Sequence, residues 1–245
     1  MNACPLVLAS ASPRRRAFVE LLALPFDICA AHVDEQNGPG EPPQALVARL
    51  SREKARAVAA LHPRATVIGA DTVVVLDGTI LGKPVDADDA RDMLCRLRGR
   101  SHQVYSGVAV CAPYHPVPLT AVVGSTVGMR SYGDDEIAAY IASGSPLDKA
   151  GAYGIQDAVF HPVAWLRGCY ASVMGLSLCR LAGLLARVGV VGNVFAQPVD
   201  VPGACSAFTG VHCCGGQECE MALEGLETTQ SRGAGEKRRG SEERR

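Results

Sequence analysis

A short apolar run, Leu6-Val-Leu-Ala9, leads directly into the polar segment Ser10-Ala-Ser-Pro-Arg-Arg-Arg16. Ser12 is a favoured N-cap and Pro13 suits the first helical position, so the sequence predicts a buried strand, a tight turn and a helix. Arginines in the first turn of a helix are electrostatically unfavourable, because the N-terminus of the helix already carries a partial positive charge. An anion bound between backbone N–H groups, serine hydroxyls and guanidinium groups removes this conflict, and phosphate suits such a site.

Strand and helix patterns alternate along the body of the chain. Strand patterns cover residues 26–30, 66–76, 79–81, 104–110 and 119–129, and helical patterns cover residues 13–22, 43–61, 86–97, 134–142 and 173–188. Asp77-Gly78 is a strong hairpin signal, and a glycine-rich loop is expected over residues 144–156. The order predicts an α/β fold, in which a mixed, twisted sheet is flanked by helices, because hairpins join some neighbouring strands.

The composition describes a globular chain with little net charge. The 245 residues are 48% hydrophobic and 20% charged, and the net charge is −1. Such a chain can bury one core or form two small lobes, and its charge gives no indication of binding to nucleic acid or to a membrane surface. No apolar run is long enough to cross a bilayer and no signal peptide is recognisable, so we expect a cytoplasmic protein.

Beyond residue 192 the character of the sequence changes. Helical and strand periodicity ends, and the chain closes with a charged, glycine-rich stretch. We therefore expect a folded domain over residues 1–192 and a disordered extension over residues 193–245. A regulatory or partner-binding tail is the alternative interpretation, although no motif in the segment supports it.

Ten cysteines are spread over the chain. Six lie scattered in apolar segments, as is typical of small buried hydrophobic residues. The other four lie near the end, close to His212; they are Cys205, Cys213, Cys214 and Cys219. These residues could form a metal cluster, but their spacing fits no standard zinc pattern, so a zinc site is the less favoured interpretation.

Asp71 interrupts the segment Val67-Ile-Gly-Ala-Asp-Thr-Val-Val-Val75, whose apolar residues predict burial on both faces. A carboxylate in such a place is costly unless it is paired or bound to a metal. From the residues alone, a structural aspartate that accepts backbone hydrogen bonds at a bulge explains the pattern equally well.

Two lysines are candidates for anion binding. Lys54 follows Val47 and Leu50 at helical spacing, so it lies on or beside an apolar stripe. Its ammonium group either snorkels to solvent or reaches an anion. Lys83 follows the predicted hairpin, where an exposed turn lysine is the ordinary interpretation, yet strand pairing could bring it to the same end of the sheet as Asp71.

Six short motifs, in their order along the chain, resemble the Maf-like family of nucleoside triphosphate pyrophosphatases. They are Ser10-Ala-Ser-Pro-Arg-Arg15, Asp34-Glu35, Ser51-Arg-Glu-Lys-Ala55, Gly69-Ala-Asp-Thr-Val73, Gly82-Lys-Pro84 and Asp148-Lys-Ala-Gly-Ala-Tyr-Gly-Ile-Gln156. The resemblance covers about residues 4–190 and leaves the extension out. Arg16 lies just beyond the first motif, so we expect it to be an ordinary solvated side chain.

The resemblance implies hydrolysis of a nucleoside triphosphate between its α- and β-phosphates, with a divalent cation, Mg²⁺ or Mn²⁺. It also implies an elongated fold of two lobes with a central cleft, and a possible homodimer. Asp71 then corresponds to the base that activates a metal-held water, and Glu35 and Asp71 to the metal ligands. The residues that would bind substrate phosphates are Ser10, Arg14, Arg15, Lys54 and Lys83.

The last motif matches the branch of the family that acts on dTTP and UTP. In that branch, specificity is associated with the positions of Arg14, Thr72 and Gln156, and Asp148 and Lys149 belong to the supporting loop. A glutamine amide offers both a donor and an acceptor, as a pyrimidine edge requires.

Three departures from the family pattern concern the shape of the base pocket: Asp157, residues 162–165 and residues 168–170. Two alternative functions are a non-catalytic nucleotide-binding regulator of cell division or septum formation, and a pyrophosphatase for 7-methyl-GTP. The intact Asp71 and Lys83 motifs favour an enzyme, because a pure binder would not need an arrangement that activates water.

Overall fold

A computed structural model describes residues 5–190, 200–213 and 220–222. The strands are β1 (Leu6–Leu8), β2 (Phe26–Ile28), β3 (Thr66–Leu76), β4 (Thr79–Leu81), β5 (Ser101–Ala112), β6 (His115–Met129), β7 (Val163–Arg167) and β8 (Glu220–Ala222). The helices are α1 (Pro13–Glu20), α2 (Pro43–Leu61), α3 (Ala87–Leu97), α4 (Asp134–Ala142), α5 (Tyr170–Met174), α6 (Leu178–Arg187) and α7 (Val201–Thr209).

The strands form one mixed sheet in the order β2-β1-β3-β5-β6-β7-β8, and β4 pairs with the second half of β3. β1 is parallel to β2 and β3, whereas the other pairs are antiparallel. The predicted α/β fold with a mixed sheet flanked by helices is therefore confirmed. No helix among the described residues is both long and apolar enough to cross a membrane.

Helix α2 packs against the sheet at two glycines. A Cβ atom at Gly69 of β3 would lie 2.2 Å from the carbonyl oxygen of Ser51, and one at Gly107 of β5 would lie 2.3 Å from that of Val47. Only residues without a side chain permit this close approach. The approach brings Lys54 of α2 beside β3, which positions the site described below.

The structure differs from the sequence expectations around β7 and the last apolar helix of the domain. The helix predicted over residues 173–188 is two helices, α5 and α6, because Gly175 adopts a φ of 123° between them. The strand β7 has no counterpart among the predicted elements. It pairs with β6, where the ring of Trp165 lies over Gly128.

Part of the segment expected to be disordered is a packed helix. α7 contacts the domain through Phe208, whose ring meets that of Phe18 edge to face at 5.2 Å between centroids. Cys205 and Val211 are 3% and 4% exposed. The expectation of disorder therefore fails for residues 200–213, because their apolar side chains cover α1 and α6, and for residues 220–222, because β8 pairs with β7. Residues 191–199, 214–219 and 223–245 lie outside the described residues.

The cysteine-rich end of the chain is only partly described. Cys214 and Cys219 lie outside the described residues, whereas Cys205 and Cys213 are free thiols. Within residues 5–190, 200–213 and 220–222, no group of three or more His, Cys, Asp or Glu side chains is placed to hold a metal ion.

Candidate active site

A cleft of about 920 Å³ lies where α1, α2 and β3 meet the loop that precedes α2. Most of the residues singled out in the sequence line it: Ser10, Arg14, Arg15, Glu35, Lys54, Asp71, Thr72, Lys83 and Asp148. The remaining two, Lys149 and Gln156, line a smaller adjoining cavity of about 100 Å³. The six motifs, scattered over the sequence, therefore converge on one continuous opening.

Lys54 lies at the centre of the charged groups. Its Nζ is 2.6 Å from Asp71 Oδ1 and 2.7 Å from Glu35 Oε1. The side chains of Lys54 and Asp71 are only 9% and 8% exposed, so Lys54 does not snorkel to bulk solvent. The register of β3 against β5 is continuous through Asp71, which faces Gly107, so the alternative of a structural aspartate at a bulge is wrong.

Glu35 reaches the cleft from the loop before α2. Burial on its own would raise the pKa of Glu35, but the hydrogen bond and charge of Lys54, together with the charges of Lys83 and Arg15, outweigh it and lower the pKa below its ordinary value. The carboxyl group is therefore ionised at neutral pH. Glu35 and Asp71 offer two negatively charged groups that face the same point.

Arg15 is held on the wall of the cleft by neutral oxygens. Its Nε donates to the carbonyl oxygen of Gly175 at 3.0 Å and its Nη1 to Ser10 Oγ at 3.3 Å. Burial lowers the pKa of the Arg15 guanidinium and the charge of Asp71 counteracts this, with a net downward shift. A guanidinium stays protonated in spite of such a shift, so Arg15 is a fixed positive charge.

The three arginines of the first motif divide as the sequence predicts. Arg14 lines both cavities and pairs with Asp148 at 3.0 Å. Arg16 is exposed and pairs with Glu20 at 2.8 Å along its own helix. α1 therefore presents Arg14 and Arg15 to the cleft and turns Arg16 towards solvent.

The loop over residues 148–156 closes the smaller cavity. Lys149 donates to Asp148 at 2.6 Å, and the hydroxyl of Tyr140 accepts from the backbone N–H of Gly154 at 3.1 Å. These contacts hold the backbone that leads to Gln156, which lines the same cavity as Thr72.

Lys83 lies on the hairpin side of the cleft. It is exposed, lines both cavities, and contributes positive charge at Glu35. β3 and β4 pair in register from Val74 with Leu81, so the expectation that pairing brings Lys83 to the same end of the sheet as Asp71 is confirmed.

Sequence reasoning missed Gly175 and Ser106. The carbonyl oxygen of Gly175 accepts from both Arg15 and the hydroxyl of Thr72, the latter at 3.4 Å, and Ser106 Oγ lies 3.0 Å from Thr72 Oγ1. The sequence signal for Gly175 was its position as a glycine inside an otherwise apolar helical pattern. No sequence signal indicated Ser106, because its contact with Thr72 depends on the register between β3 and β5.

The departures from the family pattern lie outside the lining of both cavities. Asp157 accepts from the backbone N–H groups of Val159 and Phe160 at 3.1 and 2.8 Å, which fixes the turn after the loop. Residues 162–165 enter β7, and residues 168–170 lead into α5. These departures therefore change the backbone and strand structure near the site and not the lining of either cavity.

The sequence profile of Maf-like proteins matches residues 5–188. The chain belongs to the Maf-like family. A protein of Desulfotalea psychrophila named dTTP/UTP pyrophosphatase is 44% identical over 187 residues, which are 76% of this chain and 96% of that protein. Proteins of the same name from Myxococcus xanthus and Anaeromyxobacter dehalogenans are 47% and 50% identical over 185 and 186 residues, again about three quarters of this chain and 93% and 94% of theirs.

Family membership thus agrees with the resemblance carried by the six motifs. The matched residues include every described side chain of the cleft and of the smaller cavity. α7 lies beyond the matched region, so this Maf-like protein carries a packed helix outside its family domain.

Proposed function

We propose that this Maf-like protein hydrolyses dTTP and UTP to the nucleoside monophosphate and pyrophosphate. The observation that carries the proposal is the buried Lys54–Asp71 pair, which the exposed Glu35 joins at a cleft whose walls hold Arg14 and Arg15. The names of the three relatives supply the reaction, and the geometry of this chain supports it.

The cleft suits a polyphosphate. A triphosphate carries about four negative charges near neutral pH, so several cations must surround it. Arg14, Arg15 and Lys83 line the opening, and the backbone N–H groups at the start of α1 add partial positive charge. Arg15 and its partners are fixed before substrate arrives, so little reorganisation opposes binding.

The donors also fit a divalent cation. Glu35 and Asp71 each contact Lys54 Nζ through one carboxylate oxygen, at 2.7 and 2.6 Å, so a cation held beside the ammonium group would take the other oxygen of each carboxylate. Two carboxylates are typical of Mg²⁺ or Mn²⁺ sites that take further ligands from substrate phosphates and water. A bound cation would withdraw charge from the phosphates and make them more electrophilic.

Asp71 is placed to act as a general base. Its carboxylate is held by Lys54 and by the strand pairing of β3 with β5, so it has a defined direction towards the cleft. In the proposed reaction it accepts the proton of the attacking water, while Arg15 and Lys83 neutralise the charge that develops on the phosphates.

The smaller cavity suits a pyrimidine. It is lined by Thr72, Gln156 and Tyr153. The hydroxyl and the amide supply donors and acceptors for the edge of the base. We therefore assign base recognition to Thr72 and Gln156, with Arg14 at the junction of the two cavities.

Pyrophosphate release from a panel of nucleotides tests the proposal. With Mg²⁺ or Mn²⁺ present, we expect kcat/KM for dTTP and UTP to exceed that for ATP and 7-methyl-GTP by roughly 10-fold or more. A preference for 7-methyl-GTP would contradict the assignment of the base pocket. Tight nucleotide binding without turnover of any triphosphate would instead support a non-catalytic regulator.

A further inference from the structure

The contact between α7 and α6 contains a cluster of thiols. Cys179 lies in α6 and Cys213 follows α7, and their Sγ atoms are 3.5 Å apart. Cys205 of α7 lies close enough to Cys213 for the two thiols to influence each other electrostatically. All three are free thiols, and none takes part in the proposed hydrolysis.

The thiols differ in their access to solvent. Cys205 is 3% exposed, whereas Cys179 and Cys213 are half-buried. Cys179 and Cys213 are therefore more accessible to a small oxidant than Cys205.

The backbone near Cys213 is held in position. Its N–H donates to Ser206 Oγ at 2.8 Å, and α7 ends at Gly210 in the left-handed conformation, which turns the chain back. A disulfide needs an S–S distance of about 2.0 Å, so the two sulfurs have to approach by about 1.5 Å. Rotation of two side chains supplies such a movement without displacement of a helix.

We propose that Cys179 and Cys213 form a reversible disulfide, with a hydroperoxide as the oxidant, that fastens the C-terminal extension to the Maf-like domain. The proposal is independent of the proposed function, because it concerns residues outside both cavities. Disulfides that are accessible to solvent are more easily reduced than buried structural ones, so we expect the bond between these two half-buried cysteines to be reversible.

The oxidation balances in two steps. The Cys213 thiolate attacks one oxygen of hydrogen peroxide, the O–O bond breaks, and hydroxide leaves and takes up the thiol proton as water, which gives a sulfenic acid. The Cys179 sulfur then attacks the sulfenic sulfur and loses its proton, and the second oxygen leaves as water. Two thiols lose two electrons, and one peroxide becomes two waters.

The environment of Cys179 affects the rate of the second step. Burial raises the pKa of Cys179 to about 12, and hydrogen bonding to Cys213 acts in the same direction. A raised pKa lowers the thiolate fraction of Cys179, so its attack on the sulfenic sulfur should become faster as the pH rises.

The disulfide would close a loop between residues 34 positions apart in the sequence. Such a loop lowers the conformational entropy of the unfolded chain. Since Phe208 of α7 covers Phe18 of α1, the bond would also hold α7 against the helix that carries Arg14 and Arg15.

Non-reducing peptide mapping of the full chain tests the proposal. After treatment with hydrogen peroxide and alkylation of the remaining thiols, we expect a Cys179–Cys213 crosslink that dithiothreitol reverses, with a Tm increase of about 5 °C or more. Cys179→Ser should abolish the crosslink and the Tm increase. Cys95→Ser, at an exposed and distant thiol, is the matched control and should leave both unchanged.

Two outcomes would overturn the proposal. One is the persistence of free thiols at Cys179 and Cys213 under peroxide that oxidises the exposed Cys95. The other is a crosslink between Cys205 and Cys213 in place of the proposed pair, since that bond would stay within the extension and fasten nothing to the domain.

Discussion

At the scale of single residues, the burial of Lys54 decides what the cleft can do. Its ammonium group compensates the charge of Asp71, which has little contact with water. Removal of one partner from a buried ion pair leaves the other without compensation, at a cost of about 3–5 kcal/mol. Lys54 is therefore both a structural counter-ion and a cation at the substrate site.

We predict that Lys54→Met lowers the free energy of unfolding in urea by about 3 kcal/mol at pH 7. Lys83→Met is the matched control, because Lys83 is exposed and its loss leaves no buried charge behind. It should leave stability unchanged and raise KM for the triphosphate. Equal stability of the two variants would show that the Lys54 pair is not buried as described.

The buried side chain of His102 leads to a second prediction for a single residue, which concerns how stability depends on pH. Burial lowers the pKa of His102 to about 4 from 6.5, and its Nε2 contacts the hydroxyl of Tyr153 at 2.7 Å. Between pH 6.5 and 4 the unfolded chain therefore binds a proton that the folded chain does not. Linkage then requires stability to fall as the pH decreases, by about 1.4 kcal/mol per pH unit well below 6.5.

Urea unfolding at pH 7, 6 and 5 measures this slope. His102→Gln retains a partner for Tyr153 but cannot titrate, so its slope should be smaller than that of the wild type by the contribution of one proton. His32→Gln removes an exposed histidine and should change nothing. A wild-type slope in His102→Gln would mean that another group causes the pH dependence.

At the scale of elements, the contact of α2 with β3 decides where Lys54 lies. Gly69→Ala would place a Cβ atom 2.2 Å from the Ser51 carbonyl oxygen, so the helix has to move outwards. We predict a loss of about 1–3 kcal/mol in stability, as for other overpacked sites, and a lower kcat because Lys54 retreats from Asp71.

Gly183→Ala is the matched control for this substitution. It lies in α6, and a Cβ atom there would meet no atom within 4 Å. Alanine is the better helix former by about 1 kcal/mol, so this variant should be neutral or stabilised. If Gly69→Ala behaves like Gly183→Ala, close helix packing does not position the site.

Elements with strong periodicity could be predicted from the sequence, and those that depend on distant contacts could not. α2 and β3 have the predicted bounds, since their apolar stripes are long and their ends carry clear signals. The break at Gly175 and the strand β7 depend on packing against α1 and β6, which no local pattern records. α7 was missed because its few apolar residues are meaningful only once Phe18 is known to face them.

The residues of the site could be predicted from the sequence, but not all of the contacts between them. The motifs indicated which residues would meet, and the structure brings them to one cleft. The direct contact of Lys54 with both carboxylates was not expected, because spacing along a helix does not specify what faces it across a sheet. The roles of the individual residues stay predictions, as does the homodimer implied by the family resemblance.

At the scale of the whole molecule, the extension is the part that distinguishes this chain from the matched family domain. A chain that ends at residue 192 lacks α7 and exposes Phe18, so we predict that its free energy of unfolding falls by about 2 kcal/mol. Its kcat for dTTP should stay near that of the full chain, because both cavities are lined by residues before α7.

A chain that ends at residue 213 keeps α7 and is the control for this truncation. Among the described residues it loses only β8, which pairs with β7, so its free energy of unfolding should lie above that of the chain ending at residue 192 and at or below that of the full chain. If the chains ending at residues 192 and 213 are equally stable, α7 and the Phe18–Phe208 contact do not contribute to the free energy of unfolding of the domain.

The central claim, that Asp71 performs the chemistry of the cleft, is tested most directly by pyrophosphate release from dTTP in two asparagine variants. Asp71→Asn keeps the shape of the side chain but cannot accept the proton of water, and we predict a kcat lower by about 100-fold or more with dTTP still bound. Asp77→Asn makes the same change in the exposed turn after β3 and should keep the wild-type rate. An Asp71→Asn enzyme with near-wild-type kcat would contradict the claim.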